Sequence, residues 1–216
     1  MITRKKIKKG NKIISVLGIL IIIFSWFLYG CYYIYHCNID NNDNKIIDKI
    51  IEEINDKELV SDEKMNESDE YVADGIQYKN YDYIGFLEIP KINLKKGFLN
   101  INDSGNNVNK NIQILKHSTM PDVENGILAI ASHSGNGWNA FFKHLYRLEP
   151  NDKVYVYYNN IKYIYNVVDI YDEEKNGIIS INTSSTSSLL VLTTCNMVDR
   201  TKQIVVVAQL IDKQKY

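Results

Sequence analysis

The chain has three stretches that differ in their pattern of hydrophobic and polar residues. Residues 13–34 contain no charged side chain. As a helix rising about 1.5 Å per residue they would span roughly 33 Å, enough to cross the hydrocarbon core of a bilayer. Residues 41–74 are polar and acidic, except for isoleucines at helical spacing at Ile46, Ile47, Ile50, Ile51 and Ile54. From Tyr78 onward, short runs of Val, Ile and Tyr alternate with Asn, Gly, Asp and Ser, which is typical of strands and turns.

The β-rich part predicts six main strands and one helix. The strands are Tyr83–Ile89, Gly126–Ser132, Lys153–Tyr158, Ile161–Ile170, Leu189–Thr194 and Gln203–Ile211. Asn159 and Asn160 predict a tight hairpin, because Asn tolerates the positive φ that such turns need. The helix is predicted by apolar residues at helical spacing, namely Trp138, Phe141, Phe142, Leu145 and Leu148. Many short strands with a single helix indicate a small β-barrel or sandwich of about 130 residues.

The pattern of hydrophobic and polar residues predicts five parts along the chain of 216 residues. They are a basic tail over 1–12, a transmembrane helix over 13–35, a stalk or linker with a short amphipathic helix over 36–77, a β-domain over 78–212 and a C-terminal tail over 213–216.

The formal net charge of -1 hides an asymmetry between the ends of the chain. Six of the 25 basic residues lie within the first twelve positions and no acid precedes Asp40, so the remainder carries 19 basic and 26 acidic residues. The positive-inside rule therefore places residues 1–12 in the cytoplasm and everything after His36 outside the cell. A charge balance near zero argues against a nucleic-acid partner.

Two other interpretations of the apolar stretch are disfavoured. A cleaved signal peptide has a shorter apolar core and small residues at its cut site, whereas this stretch ends in bulky aromatic residues. Leu28–Cys31 weakly resembles a lipoprotein cleavage box, but Tyr29 is large where that box has a small residue. We therefore expect an uncleaved membrane anchor through residues Ile13–Ile34.

Cys195 is the single cysteine of the predicted β-domain, because Cys31 and Cys37 lie within or just beyond the apolar span. A lone thiol in a folded domain is often only a small buried hydrophobe. Cys195, however, ends an apolar strand and precedes a polar loop, a position that can present sulfur to a groove. The two readings stay open on position alone.

A nucleophilic cysteine needs a proton partner, usually an imidazole within hydrogen-bond reach. His133 is the best candidate because it also ends an apolar strand and opens a polar loop. His117 lies in a loop and remains an alternative, whereas His36 sits at the membrane edge and His144 is expected to face solvent on the helix.

The segments that carry this cysteine and histidine resemble motifs of the sortases, membrane-anchored cysteine transpeptidases of Gram-positive bacteria. Leu192–Cys195 matches the last four positions of the family's Thr-Leu-x-Thr-Cys signature, with Val191 in place of the first Thr. Ala131–His133 resembles the family's Ala-Gly-His, with Ser132 in place of Gly.

Two further segments extend the resemblance to roughly residues 81–210. Residues 84–90 are similar to the opening strand of the family, and residues 203–208 are similar to its final strand. The resemblance implies a mainly β fold, namely a closed sortase-like barrel of about eight strands with one or a few short helices.

The resemblance also implies an activity. Cys195 would attack the Thr carbonyl of a Leu-Pro-x-Thr-Gly-like motif at the C-terminus of a secreted protein, and His133 would act as general acid and base. The acceptor would be an amine of a peptidoglycan precursor or, as in pilus-building relatives, a lysine side chain. Thr193, Thr194 and Gln203 would contact the substrate.

The chain departs from the family at its arginine. Sortases place an arginine at the start of the last strand, and that position holds Gln203 here. The resemblance implies that this arginine stabilises the oxyanion and holds the substrate backbone. We assign that role to Arg200, with Lys202 or Gln203 as alternatives. The competing interpretation is that Arg200 is a solvated loop residue beside Asp199.

The segment 169–188 is where the family has a loop that covers the substrate. Because it is short here, and no Asp-Pro-aromatic lid precedes the domain, the chain is more similar to classes A, D and E than to B or C. No cofactor is expected. Asp172, Glu173 and Glu174 would serve a calcium site as in some relatives, or would simply be solvated.

The departures at Val191, Ser132 and Gln203 leave a second function open. A catalytically weak, membrane-anchored binding module on a sortase fold would tolerate all three changes.

Overall fold

The computed structural model describes residues 14–35, 45, 48–49, 52, 77–78, 81–181 and 187–215. The chain forms two compact units, Met1–Asn42 and Asp43–Tyr216. In the first unit, helix α1 spans Ile14–Tyr35, and its 22 residues are long and apolar enough to cross a membrane, as the sequence predicted. The predicted isoleucine stripe of the stalk lies outside the described residues.

The second unit contains a sheet whose described part has nine strands. In chain order they are β1 (Gln77–Tyr78), β2 (Tyr81–Ile89), β3 (Leu94–Leu99), β4 (Gln113–Ile114), β5 (Ile127–Ala131), β6 (Lys153–Tyr158), β7 (Ile161–Glu174), β8 (Leu189–Cys195) and β9 (Lys202–Lys215). Two short 3-10 helices cover Pro90–Ile92 and Leu145–Arg147.

The sheet rolls into a nearly closed barrel, as the resemblance implied. The strand order is β1-β2-β6-β7-β9-β8-β5-β4, and β3 pairs with the free side of β2. Across the remaining gap between β3 and β4, the Asn111 side-chain Nδ2 donates to the Gly97 carbonyl at 2.8 Å. Among the described pairs only β5 and β8 run parallel.

Strand β8 is buried on both faces, which explains its continuous apolar sequence. Leu190 and Leu192 point into the main core of the barrel. Leu189 and Val191 point outward, where residues of the β7–β8 connection, including Ile179, cover them. The outward face of β8 around Leu189 and Val191 is therefore covered by this connection, whereas Cys195 at the strand end is half-buried.

The six predicted strands are confirmed, although several are longer than their pattern suggested. The hairpin between β6 and β7 is also confirmed, since Asn159 and Asn160 have φ of 50° and 56°. Strand β7 continues to Glu174 instead of ending at Ile170, because pairing with β9 continues as far as Glu174 opposite Lys202. A polar sequence can thus stay extended when its backbone is paired.

The predicted helix over residues 138–148 is wrong. The segment forms consecutive turns with hydrogen bonds between residues three apart, ending in the 3-10 helix Leu145–Arg147. The Phe142 amide donates instead to the His133 carbonyl at 3.1 Å, which removes a bond that an α-helix would use. The buried side chains Phe142, Leu145 and Leu148 recur every three residues, which fits this tighter winding.

His144, expected to face solvent on that helix, lies half-buried in the turn before the 3-10 helix. Its Nδ1 is shielded from solvent and has no partner among the described residues. Desolvation lowers the pKa of the His144 ring, and the charges of Arg147 and Lys143 lower it further. Its ring lies against Tyr146, with 6.3 Å between the ring centroids.

Candidate active site

The parallel strands β5 and β8 end side by side. Their last paired positions are Ala131 and Thr193. His133 and Cys195 each lie two positions beyond this pair, His133 just after the end of β5 and Cys195 as the last residue of β8, where it still pairs with Gln203 of β9. The topology thus gives one edge a histidine and a cysteine that are 62 positions apart in the chain.

Three hydrogen bonds hold the two strand ends together beyond the last pair. The Ser132 amide donates to the Thr193 carbonyl at 3.3 Å. The Thr194 hydroxyl donates to the Ser132 carbonyl at 2.7 Å, and the Ser134 hydroxyl donates to the Cys195 carbonyl at 2.6 Å. The backbones that carry His133 and Cys195 are therefore fixed on both sides by bonds that involve their immediate neighbours.

Ser132 occupies the position of a family glycine, and it is buried. Its hydroxyl donates to the Asn139 carbonyl at 3.4 Å, which connects β5 to the turn that follows. The extra side chain therefore has a partner of its own and does not intrude on the strand end.

The imidazole of His133 is paired with an asparagine. Its Nε2 lies 3.1 Å from Asn109 Oδ1. A carboxamide oxygen only accepts hydrogen bonds, so this contact favours the tautomer with its hydrogen on Nε2. The loop that bears Asn109 is itself held, because Asn139 Nδ2 donates to the Asn109 carbonyl at 3.4 Å.

Cys195 is half-buried and is not part of a disulfide. A lysine contacts its sulfur: Lys175 Nζ donates to Cys195 Sγ at 3.1 Å. Lys175 is the first residue after β7, and sequence analysis missed it because it belongs to no motif and lies 20 positions from the cysteine. The thiol is thus half-buried and in contact with a lysine ammonium, unlike the fully packed side chain of a core cysteine.

The three residues proposed for the arginine role make no side-chain contact with the Cys195 sulfur in the described part of the chain. Arg200 is exposed in the turn between β8 and β9. Lys202 forms an ion pair with Asp199, with Nζ to Oδ2 at 3.9 Å. Gln203 pairs with Cys195 across the β8–β9 ladder. None of the three side chains hydrogen bonds the Cys195 sulfur in the described part of the chain.

Gln203 is instead engaged with the β7–β8 connection. Its Nε2 donates to the Ile178 carbonyl at 3.0 Å and lies 3.5 Å from Glu173 Oε2. The position that holds an arginine in the family thus holds an amide that supports the covering loop here.

Thr193 and Thr194 are both buried. The Thr193 hydroxyl donates to the Ile204 carbonyl at 3.1 Å, and the Thr194 hydroxyl donates to the Ser132 carbonyl, as described above. Both hydroxyls thus connect β8 to its neighbours, and the substrate contacts suggested for these threonines stay a prediction.

The three acids once considered for calcium lie on β7 and not on a loop, which corrects the sequence interpretation. Asp172 Oδ2 accepts from Asn196 Nδ2 at 3.0 Å, and both Glu173 oxygens accept from the Ser180 amide at 3.0 and 3.2 Å. These carboxylates stabilise the connections around the strand end. Within the described ranges, no group of three or more His, Cys, Asp or Glu side chains is arranged to hold a metal ion.

Comparison with known proteins places this barrel in a family. A family model for the sortase domain matches residues 87–211. No curated protein matches the sequence significantly.

Solved sortase structures share the fold. Sortase C of Streptococcus pneumoniae is 22% identical with a TM-score of 0.54, over 62% of this chain and 71% of that one. Sortase A of Listeria monocytogenes is 18% identical with a TM-score of 0.51, over 62% of this chain and 90% of that one. Sortase E1 of Streptomyces coelicolor is 18% identical with a TM-score of 0.53, over the same 62% and 90%. With its matched domain, its barrel and the strand ends that carry its cysteine and histidine, the chain belongs to the sortase family.

Proposed function

We propose that the protein is a cysteine transpeptidase that cleaves a Leu-Pro-x-Thr-Gly-like motif near the C-terminus of secreted proteins and transfers them to a cell-wall amine. The observation that carries the proposal is the hydrogen-bonded junction of β5 and β8, which positions His133 and Cys195 at one edge of the barrel. A nucleophile and a proton carrier on neighbouring strand ends suit acyl transfer through a covalent intermediate.

The first half-reaction forms a thioester. The Cys195 thiolate attacks the Thr carbonyl carbon, and a carbon–sulfur bond forms as the carbonyl oxygen takes negative charge. The bond between Thr and Gly then breaks, and protonated His133 gives its proton to the departing amine. The products are an acyl-enzyme and the released C-terminal fragment.

The second half-reaction transfers the acyl group. An amine of a peptidoglycan precursor attacks the thioester, His133 accepts the amine's proton, and the Cys195 sulfur leaves. Because amide nitrogen leaves only when protonated and the acceptor attacks only when neutral, one imidazole must serve as acid and then as base.

Helix α1 supports a position at the membrane surface. Its 22 residues carry no charge, and the basic residues of the chain's first twelve positions precede it. The positive-inside rule then orients the catalytic barrel to the outside of the cell, where secreted clients and wall precursors are found.

The test is peptide cleavage by the full chain in detergent. With a fluorophore–quencher peptide that contains the Leu-Pro-x-Thr-Gly motif and with hydroxylamine as acceptor, we expect a hydroxamate product. Cys195→Ala and His133→Ala should each reduce turnover by at least a thousandfold, since they remove the nucleophile and the proton carrier.

Cys31→Ala is the matched control, because this second cysteine lies in helix α1 and should be dispensable for turnover. Binding of the peptide without any hydroxamate or Cys195 adduct, measured by intact mass, would instead identify a binding module. Activity that persists in either active-site variant would refute the assigned roles.

A further inference from the structure

We infer that Lys175 supplies the positive charge that activates Cys195, in place of the arginine that the family carries on its last strand. The inference rests on the proposed function, since it assigns a further catalytic residue to that reaction. It begins from the contact of 3.1 Å between Lys175 Nζ and Cys195 Sγ.

The backbone around Lys175 is fixed by its neighbours. Its amide donates to the Thr201 carbonyl at 2.8 Å, in the turn between β8 and β9. Directly before it, Glu174 is the last residue of β7 to pair with β9, opposite Lys202. The lysine therefore leaves a paired strand end with its main chain anchored, so that only its side-chain rotamers remain to be ordered at the sulfur.

Three charged side chains near the end of β7 have polar partners other than Lys175. The Asp172 carboxylate accepts from Asn196, the Glu173 carboxylate accepts from Ser180, and Lys202 pairs with Asp199. Lys175 has no ion pair with a carboxylate in the described part of the chain, and Cys195 Sγ is its side-chain partner there.

The residue at the family's arginine position contacts the connection that carries Lys175. Gln203, at the family's arginine position, donates to Ile178 in the same connection that begins with Lys175. The Gln203 side chain stabilises the β7–β8 connection, and this connection begins with Lys175, which contacts Cys195. The positive charge that the family carries on its last strand is thus supplied here by the residue that follows β7.

The chemistry of a lysine differs from that of an arginine. An ammonium group is a compact point charge, whereas a guanidinium is a planar fork that binds two acceptors at once. At 3.1 Å from sulfur, the ammonium stabilises the thiolate directly through a charge-assisted hydrogen bond. The proton that leaves the thiol goes to His133, and Lys175 keeps its own proton throughout.

The experiment measures thiolate formation separately from turnover. Iodoacetamide alkylation of Cys195 in the full chain is followed by site-specific mass spectrometry from pH 6 to pH 9.5. For Lys175→Ala we expect about tenfold slower alkylation at pH 7 and recovery toward the wild-type rate at the alkaline end, because loss of a charged hydrogen bond disfavours the thiolate. Hydroxamate formation from the motif peptide should fall by at least the same factor.

Two variants make the result specific. Lys175→Arg should restore much of the alkylation rate at pH 7, because it returns a cation to the same place. Lys153→Ala, an exposed lysine at the start of β6, should alkylate and turn over like the wild type. Circular dichroism melting of each variant checks that the barrel is intact, and Lys175→Gln replaces the alanine variant if that one is unfolded.

The outcomes separate this inference from the proposed function. Wild-type alkylation rates at every pH in Lys175→Ala would overturn the role of Lys175, even if the wild type cleaves the peptide. Slower alkylation at pH 7 in a protein that produces no hydroxamate would support the lysine–thiol pair and refute the transpeptidase. Equal losses in the alanine and arginine variants would also refute an electrostatic role.

Discussion

At the residue scale, the imidazole of His133 has a neutral hydrogen-bond partner. Asn109 Oδ1 accepts from His133 Nε2 at 3.1 Å, and the asparagine loop is held by Asn139. A carboxylate in this position would stabilise the imidazolium strongly, whereas an amide orients the ring without adding charge. We regard Asn109 as a residue that positions the ring of His133.

Replacement of Asn109 tests this orientation. We expect Asn109→Ala to lower kcat/KM for the motif peptide about fivefold, the cost of one ordinary hydrogen bond. Melting temperature should change little, because the pair lies at the surface. The pH–rate profile should change with the rate, since the imidazole loses its tautomer partner.

Asn102→Ala is the matched control, an exposed asparagine in the same long connection between β3 and β4. A rate loss of equal size in this control, or an unaltered rate and pH profile in Asn109→Ala, would contradict a specific role for Asn109.

At this scale, the sequence was enough to select His133 and Cys195 as candidates, but not to predict the side chains that contact them. His133 and Cys195 both end apolar strands, and a strand end is visible in one-dimensional patterning. Lys175 and Asn109 lie in polar segments without periodicity, where only the three-dimensional course of the loops decides which side chain reaches the site. Their contacts with Cys195 and His133 could not be inferred before the fold was known.

At the element scale, the connection between β7 and β8 is built from polar contacts on top of an apolar strand face. Glu173 holds Ser180, Gln203 holds Ile178, and the Tyr171 hydroxyl donates to the Ser180 carbonyl at 2.5 Å. The described part of the loop is therefore organised around the end of β7.

Acid should loosen this connection. Hydrogen bonds from Ser180 hold the pKa of Glu173 below its ordinary value of 4.5, with a smaller contribution from Gln203. A lowered pKa means that the ionised group stabilises the fold, so this contribution is complete above pH 4.5 and is lost as the pH falls below it. Amide hydrogen exchange over residues 175–181, corrected for intrinsic rates, should accelerate in that range.

Glu173→Ala provides the comparison, because it should exchange quickly at both neutral and acidic pH. Constant protection of residues 175–181 from pH 6 to pH 3.5 in the wild type would show that the carboxylate does not hold the loop.

The predicted helix shows where patterning fails at this scale. Apolar residues at positions 138, 141, 142, 145 and 148 satisfy helical spacing, yet only three of them are fully buried, and these are three residues apart. A long-range bond from Phe142 to His133 competes with the helical ladder, and no local pattern reports it. The strands were easier to predict because each carries its own alternation and turn residues.

At the scale of the whole molecule, an apolar helix precedes a barrel that has its own core. Helix α1 exposes its apolar side chains throughout, as a membrane-spanning helix would. The barrel buries its apolar residues in a main cluster and in a smaller one beneath the β7–β8 connection.

Charges placed in helix α1 should release the protein from the membrane. Each of the substitutions Ile22→Asp and Phe24→Asp raises the free energy of membrane insertion by about 3 kcal/mol near the centre of a span. We expect the double variant to lose alkali-resistant sedimentation with membranes. Val198→Asp, at a valine that is 97% exposed on the barrel, should sediment like the wild type.

Intact mass of the wild-type protein distinguishes an anchor from a leader. Loss of the first thirty or so residues would identify a cleaved signal sequence, and release by alkali would exclude a spanning helix.

The parallel pairing of β5 with β8 has a consequence for the order in which the polypeptide matures. Ser132 and Thr194, joined across that pair, are 62 positions apart, and β8 is completed on its other side only by β9 at the far end of the chain. Pairing between such distant segments comes late in folding. If the residues before helix α1 stay in the cytoplasm, the rest of the polypeptide crosses the membrane from α1 onward, and His133 would emerge long before Cys195. Cys195 would gain its β9 neighbours only after β9 had emerged, so the junction of the two strand ends would be assembled only then.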